Sequence, residues 1–168
     1  MPKTMDDVVA EAEIKDIHMR YCRANDRMDP DLMRGCFHPD ATIELHEPLT
    51  VDSFVALGGQ MLGQYSVTWH NTGNQRVEVR GERAWAEHYT ISSHRIPASA
   101  DGPERDFIVH GRYVDRLEKR DGEWRIARRK LIVDYARQDP VGELPPGFGT
   151  PGGARDKSDP SYTMWGQD

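Results

Sequence analysis

The sequence predicts an α+β domain, with N-terminal helices packed on one face of a strongly curved antiparallel sheet that encloses a pocket. Three observations predict it. Apolar residues recur at intervals of three, four and seven in the first 65 positions. From residue 67 the period changes to two. Turn chemistry then divides the second half, with Gly81-Glu82 and Asp121-Gly122 between long alternating segments.

Residues 6–28 form the first helix, with Ile14, Ile17, Tyr21 and Met28 on one side. Asp29-Pro30-Asp31 starts a second. Asp29 caps it, and Pro30 suits the first position, where its missing N–H would have no partner. That helix buries Leu32, Met33, Cys36 and Phe37, and His38-Pro39-Asp40 ends it. The alternation in ATIEL (41–45) predicts a strand. Asp52 caps a third helix over 53–65, with Phe54, Leu57, Met61 and Tyr65 aligned. Gly58 and Gly59 weaken it by about 1 kcal/mol each.

Segments 67–80, 83–96, 105–119 and 123–137 are the four strands, and the loop at 97–104 joins the middle pair. Residues 138–168 hold five prolines and six glycines and form an irregular arm, either lying over a neighbouring subunit or disordered. Tyr162, Met164 and Trp165 favour the arm, since they give it something to bury. The expected division is a domain over 1–137 and an arm over 138–168.

A net charge of −6 argues against nucleic acid as a partner, which would need a basic face to neutralise phosphates. No apolar run approaches the ~20 residues of a membrane span. The acidic N-terminus lacks the apolar stretch of a secretory signal, so the expected compartment is the cytoplasm. Cys22 and Cys36 sit in apolar helical patterns and read as reduced core thiols.

Seven histidines are many for 168 residues, and His70, His88, His94 and His110 all fall in the strand half. In a regular strand His88 and His94 share a face with Ala84, Ala86, Thr90 and Ser92, opposite Trp85, Tyr89 and Ile91. Two readings remain open here: a pocket lining beside a helix-packing face, or solvent beside core. The histidine spacings contain no HxH and no HExxH, so neither metal nor another cofactor is expected.

The segment GRYVDRLEKRDGEWRIARRKLIVDY (111–135) resembles the last hairpin of the SnoaL-like, nuclear-transport-factor-2-like cone proteins. RYCRANDRMDPD (20–31) resembles their first helix and its exit, with Tyr21 and Asp26 at the spacing found in bile-acid 7α-dehydratase. TWHNTGN (68–74) resembles the histidine-bearing strand of that enzyme, of scytalone dehydratase and of hexachlorocyclohexane dehydrochlorinase. The resemblance spans about residues 6–137. It implies a cone fold with His70 as base and Asp26 as its partner. It also implies Arg129 as the pocket arginine, Tyr21 as a donor to a substrate oxygen, and His110 and His94 as weaker pocket candidates.

There are departures. Tyr21 stands where the dehydrochlorinase has lysine, which favours dehydration or isomerisation over dechlorination. Val133 stands near the late arginine of bile-acid dehydratase, and Gly111 and Tyr113 near the Ser and Asn of scytalone dehydratase.

The chemistry stands beside the resemblance. Free imidazole titrates near pH 6.5, so it both takes and returns protons at neutral pH. A carboxylate bonded to one ring nitrogen fixes the tautomer and stabilises the imidazolium. The bland alternatives are a helix-end cap for Asp26, a core histidine for His70 and a surface ion pair for Arg129. The expected function is therefore a cofactor-independent dehydratase-type lyase or isomerase acting on a small apolar oxygenated molecule of steroid, polyketide or aromatic type. The alternative is a non-catalytic carrier, or a structural subunit like the small subunit of ring-hydroxylating dioxygenases. A homo-oligomer is expected, trimer ahead of dimer.

Overall fold

The structure is a computed structural model that describes residues 3–143, 145, 147 and 152–164. Helix α1 (Met5–Asp26) begins with Thr4, whose side chain accepts from the Asp7 N–H while the Asp7 carboxylate reaches back to the Thr4 N–H. Its buried face carries Ile14, Ile17, His18, Tyr21, Cys22, Asn25 and Asp26, the three-and-four spacing of a helix lying on a sheet. Met28 turns the chain with a positive φ of 50°. Asp29 then caps α2 (Pro30–Gly35) by accepting from the Leu32 N–H at 3.0 Å.

Two boundaries depart from the sequence expectation. His38-Pro39-Asp40 lies inside β1 (Phe37–Glu44) instead of forming a loop. Phe37 pairs in parallel with Ile126, and the register shifts before Thr42. That irregularity gives Pro39 a position where its missing N–H breaks no ladder bond. After the short edge strand β2 (Pro48–Thr50), α3 (Val51–Leu62) is capped by Thr50, whose hydroxyl accepts from the Ser53 N–H at 3.3 Å. Asp52, expected to cap, instead accepts from Arg34 at 3.0 Å.

The long strands are β3 (Val67–Arg80), β4 (Arg83–Ile96), β5 (Arg105–Arg120) and β6 (Glu123–Pro140). The sheet order is β2-β1-β6-β5-β4-β3. All pairings are antiparallel except β1 with β6, and the sheet stays open. Asp121 and Gly122 both take positive φ, 51° and 85°, as a tight hairpin turn of the strand's own twist requires. Register shifts at Gly73/Arg76, His110/Gly111 and Arg116/Leu117 add local bend and twist.

The core lies between the concave face of the sheet and the helices, around Ile14, Ile17, Tyr21, Phe37, Ile43, Leu117 and Ile126. The two faces of β4 match neither reading open at the sequence level. The small face (Ala84, Ala86, His88, Thr90, Ser92, His94) is the buried one. The large face is exposed, with Trp85, Tyr89 and Ile91 each more than two-fifths accessible. On this buried face His88 meets His18 of α1 ring to ring at 3.8 Å.

Residues 152–164 return to this chain's own body. Asp159 caps α4 (Pro160–Thr163), and Tyr162 is half-buried while Met164 is exposed. Trp165 lies outside the described residues.

Candidate active site

The last turn of α1 and the start of β3 bring two distant residues together. Asp26 sits four residues after Cys22 on the buried side of the helix, and His70 on the concave side of its strand. His70 Nδ1 lies 2.7 Å from Asp26 Oδ1, and the His70 backbone N–H donates to Asp26 Oδ2 at 3.0 Å. Both carboxylate oxygens are thus used on one residue, which fixes the imidazole against rotation. The two side chains are only 5% and 12% accessible. An ionised Asp26 assigns the proton to Nδ1 and leaves Nε2 as the basic atom. Among the described residues, the hydrogen bonds of His70 run through its backbone N–H and Nδ1 and not through Nε2.

His94 approaches from β4, its ring edge-on to His70 at 5.4 Å. Its Nδ1 donates to the Phe107 carbonyl at 3.2 Å, and the Tyr65 ring packs on it at 4.9 Å. Burial, and then the nearby His70 charge, push the His94 imidazole down to about 4. It is therefore neutral at physiological pH.

Asp26 and His70 line an open groove of about 360 Å³ between α1 and β3, with Cys22, Arg27, Trp69 and Thr72. On the other side of the same helix turn lies an apolar cavity of about 200 Å³, walled by Ala24, Met28, Met33, Phe54, Val55 and Leu62. The apolar walls suit the body of a small hydrophobic ligand.

The remaining sequence candidates lie elsewhere. Arg129 is fully buried, and its Nε and Nη2 donate to the two oxygens of Asp115 at 2.8 and 2.6 Å. Its guanidinium packs against the rings of Tyr21 (4.1 Å) and Tyr113 (4.4 Å), which themselves meet edge to face at 5.3 Å. It forms an ion pair, as the bland reading held, but a buried one. Neither Arg129 nor Tyr21 makes a hydrogen bond to the dyad among the described residues. His110 points to the convex face, where it stacks on Tyr135 at 4.3 Å. Its cross-strand neighbour Ile91 is exposed there. The strand parity that puts Gly111 and Tyr113 inside puts His110 outside.

Sequence reasoning missed one cluster. His18, His88 and Asp115 offer ligand atoms within 4.8 Å of one another, all fully buried. His18 Nε2 lies 3.2 Å from Asp115, and the two imidazoles face each other at 3.8 Å. Burial pushes His88 down to about 2. The donor set does not suit a cation, because Arg129 already occupies both carboxylate oxygens and sets its own positive charge beside them. The available signal was a histidine on the apolar stripe of the first helix, between Ile14 and Tyr21.

Among the described residues no helix is long and apolar enough to cross a membrane. No curated protein sequence matches the chain. Several solved structures share its fold. Kfla4162 from Kribbella flavida is 24% identical, covering 77% of this chain and 94% of its own, with a TM-score of 0.71. A candidate scytalone dehydratase from Novosphingobium aromaticivorans is 21% identical, covering 83% and 97%, with a TM-score of 0.69. A type 2 hexachlorocyclohexane dehydrochlorinase is 19% identical, covering 86% and 99%, with a TM-score of 0.73. These structures share the architecture of helices packed on an open, curved sheet. The profile of the SnoaL-like domain matches residues 6–130, and the chain belongs to that family.

Proposed function

We propose that the chain is a cofactor-independent lyase of dehydratase type, or an isomerase, acting on a small, mostly apolar, oxygenated molecule. The observation that carries this reading is the sheltered Asp26–His70 pair. Support comes also from the SnoaL-like family and from structural neighbours named as a dehydratase and a dehydrochlorinase.

His70 Nε2 takes a proton from a carbon next to an activating group, and Asp26 stabilises the imidazolium. In dehydration the electron pair of the broken C–H bond forms the double bond. The hydroxyl then leaves as water with a proton returned by the imidazolium. In isomerisation the same proton returns to a different carbon. His94, being neutral, adds no positive charge beside the base.

The test begins with a panel of hydroxylated or carbonyl steroid, polyketide and aromatic compounds, incubated in deuterium oxide and read for loss of water or deuterium uptake at carbon. On the compound that reacts, His70→Ala and Asp26→Asn each lower turnover about 10²–10⁴-fold with melting unchanged. Near-normal turnover in either variant removes the mechanism. We also propose that the exposed convex face, with Trp69, Trp85, Tyr89 and Tyr135, is covered in a homo-oligomer, trimer ahead of dimer. A monomer by light scattering would contradict that.

A further inference from the structure

Proton abstraction from carbon leaves negative charge on an oxygen, and Arg129 is already committed to Asp115. Another guanidinium, that of Arg155, is near enough to the dyad to feel the field of Asp26, and it belongs to a segment beyond the family match at 6–130. Residues 152–164 are fastened to the end of α1. Asp159 accepts from the N–H groups of Ala154 and Ser161 at 2.9 and 3.0 Å and faces Arg27 at 3.4 Å. The Tyr162 hydroxyl donates to Asp29 at 3.2 Å, and Arg23 lies over its ring at 4.3 Å.

These anchors place Arg155 between the α1–α2 turn and the α3–β3 turn. Its Nη2 donates to the Leu62 carbonyl at 2.9 Å and lies 3.1 Å from Met28 Sδ. Its Nη1 donates to the Tyr65 carbonyl. Met28 and Leu62 are walls of the apolar cavity, whereas the Tyr65 ring packs on His94, which meets His70 edge-on. Arg155 thus touches Met28 and Leu62 of the cavity wall and, through the Tyr65 backbone, the residue whose ring leads to His94 and His70.

The guanidinium is half-buried, and among the described residues no carboxylate pairs with it. Its Nε is buried without a partner. Desolvation weakens its hold on the proton, and the field of Asp26 offsets part of that. A cation taken from water without a counter-ion is costly, and an arriving anion offsets the cost through a charge-assisted bond. The C-terminal end of α3 and the turn after it supply the carbonyls that hold the cation in place meanwhile.

We propose that Arg155 is the anion contact of this site. It binds a carboxylate or enolate oxygen of a ligand whose apolar body lies against Met28, Phe54 and Leu62. The inference rests on the proposed function only in placing the ligand there, and its test reads binding alone. The probes are 2-naphthoate and its uncharged isostere 2-naphthamide, titrated calorimetrically into the full chain and into Arg155→Gln and Arg155→Lys.

The wild type binds naphthoate more tightly than naphthamide. Arg155→Gln weakens naphthoate about tenfold or more and leaves naphthamide within roughly twofold, because only the charged bond is lost. Arg155→Lys restores part of the preference, since a point charge remains without the fork. The readout is binding without turnover, so failure of the acid–base reading does not touch this result. The proposal is overturned by equal weakening of both probes in Arg155→Gln, by no weakening of either, or by a wild type that prefers naphthamide or binds neither.

Discussion

Replacing Arg129 with Met should destabilise the protein far more than any surface ion-pair change. Arg129 and Asp115 have no accessible side-chain surface, and two donors of the guanidinium meet two oxygens at 2.8 and 2.6 Å. Without Arg129 the carboxylate keeps only His18 Nε2, at 3.2 Å. Burial works against charge on that histidine, which weakens it as a replacement cation. Breaking a buried pair by removing one partner costs about 3–5 kcal/mol. The guanidinium also packs against the rings of Tyr21 and Tyr113, and a desolvated cation–π contact adds up to about 2 kcal/mol. A loss near 4 kcal/mol approaches the whole stability of a domain, typically about 5–15 kcal/mol. The double variant Asp115→Asn/Arg129→Met removes both charges and should recover part of the loss. Urea denaturation at pH 7 measures both, compared at constant m-value. A single-variant loss below about 1 kcal/mol, or a double variant no better than the single, would refute the reasoning.

Two further outcomes follow from buried groups and close backbone contact. His88 is pushed down to about 2 and His94 to about 4, both mainly by burial. Below pH 6.5 the unfolded chain binds protons that the folded chain refuses, so stability falls as pH drops from 7 toward 4. The two histidines together remove about 2–3 kcal/mol between pH 7 and 5.5. Urea midpoints that stay level or rise over that range would contradict it. At Gly111 an added Cβ would lie 2.3 Å from the Ile132 carbonyl oxygen, so Gly111→Ala must spread β5 from β6. The expected cost is about 1–3 kcal/mol, read as a lowered melting temperature.

Much of the fold was legible because local chemistry and tertiary packing agreed. Asp29-Pro30 and Asp121-Gly122 demand the cap and turn they form, and the long strands kept their period of two. The start of β1 was illegible because His38-Pro39 resembles a helix stop, and only the parallel pairing of Phe37 with Ile126 draws it into the sheet. The faces of β4 were misread because alternation gives two faces but not which one a helix covers. In the site, Asp26 and His70 were legible from a resemblance to known motifs. His18 was not, since a histidine on an apolar stripe has no local signature until Asp115 and His88 arrive beside it. Arg155 was hidden in a Pro/Gly-rich tail, where its partners are backbone carbonyls some ninety residues away.

The most direct test of the acid–base geometry is the tautomer of His70, measured by long-range nitrogen–proton NMR on histidine-labelled protein at pH 8. With Asp26 at 2.7 Å from Nδ1, the wild type should carry its proton on Nδ1 and show a bare Nε2. Asp26→Asn should abolish that strict preference. A wild-type His70 protonated on Nε2 at pH 8 would contradict the assignment of that atom as the base.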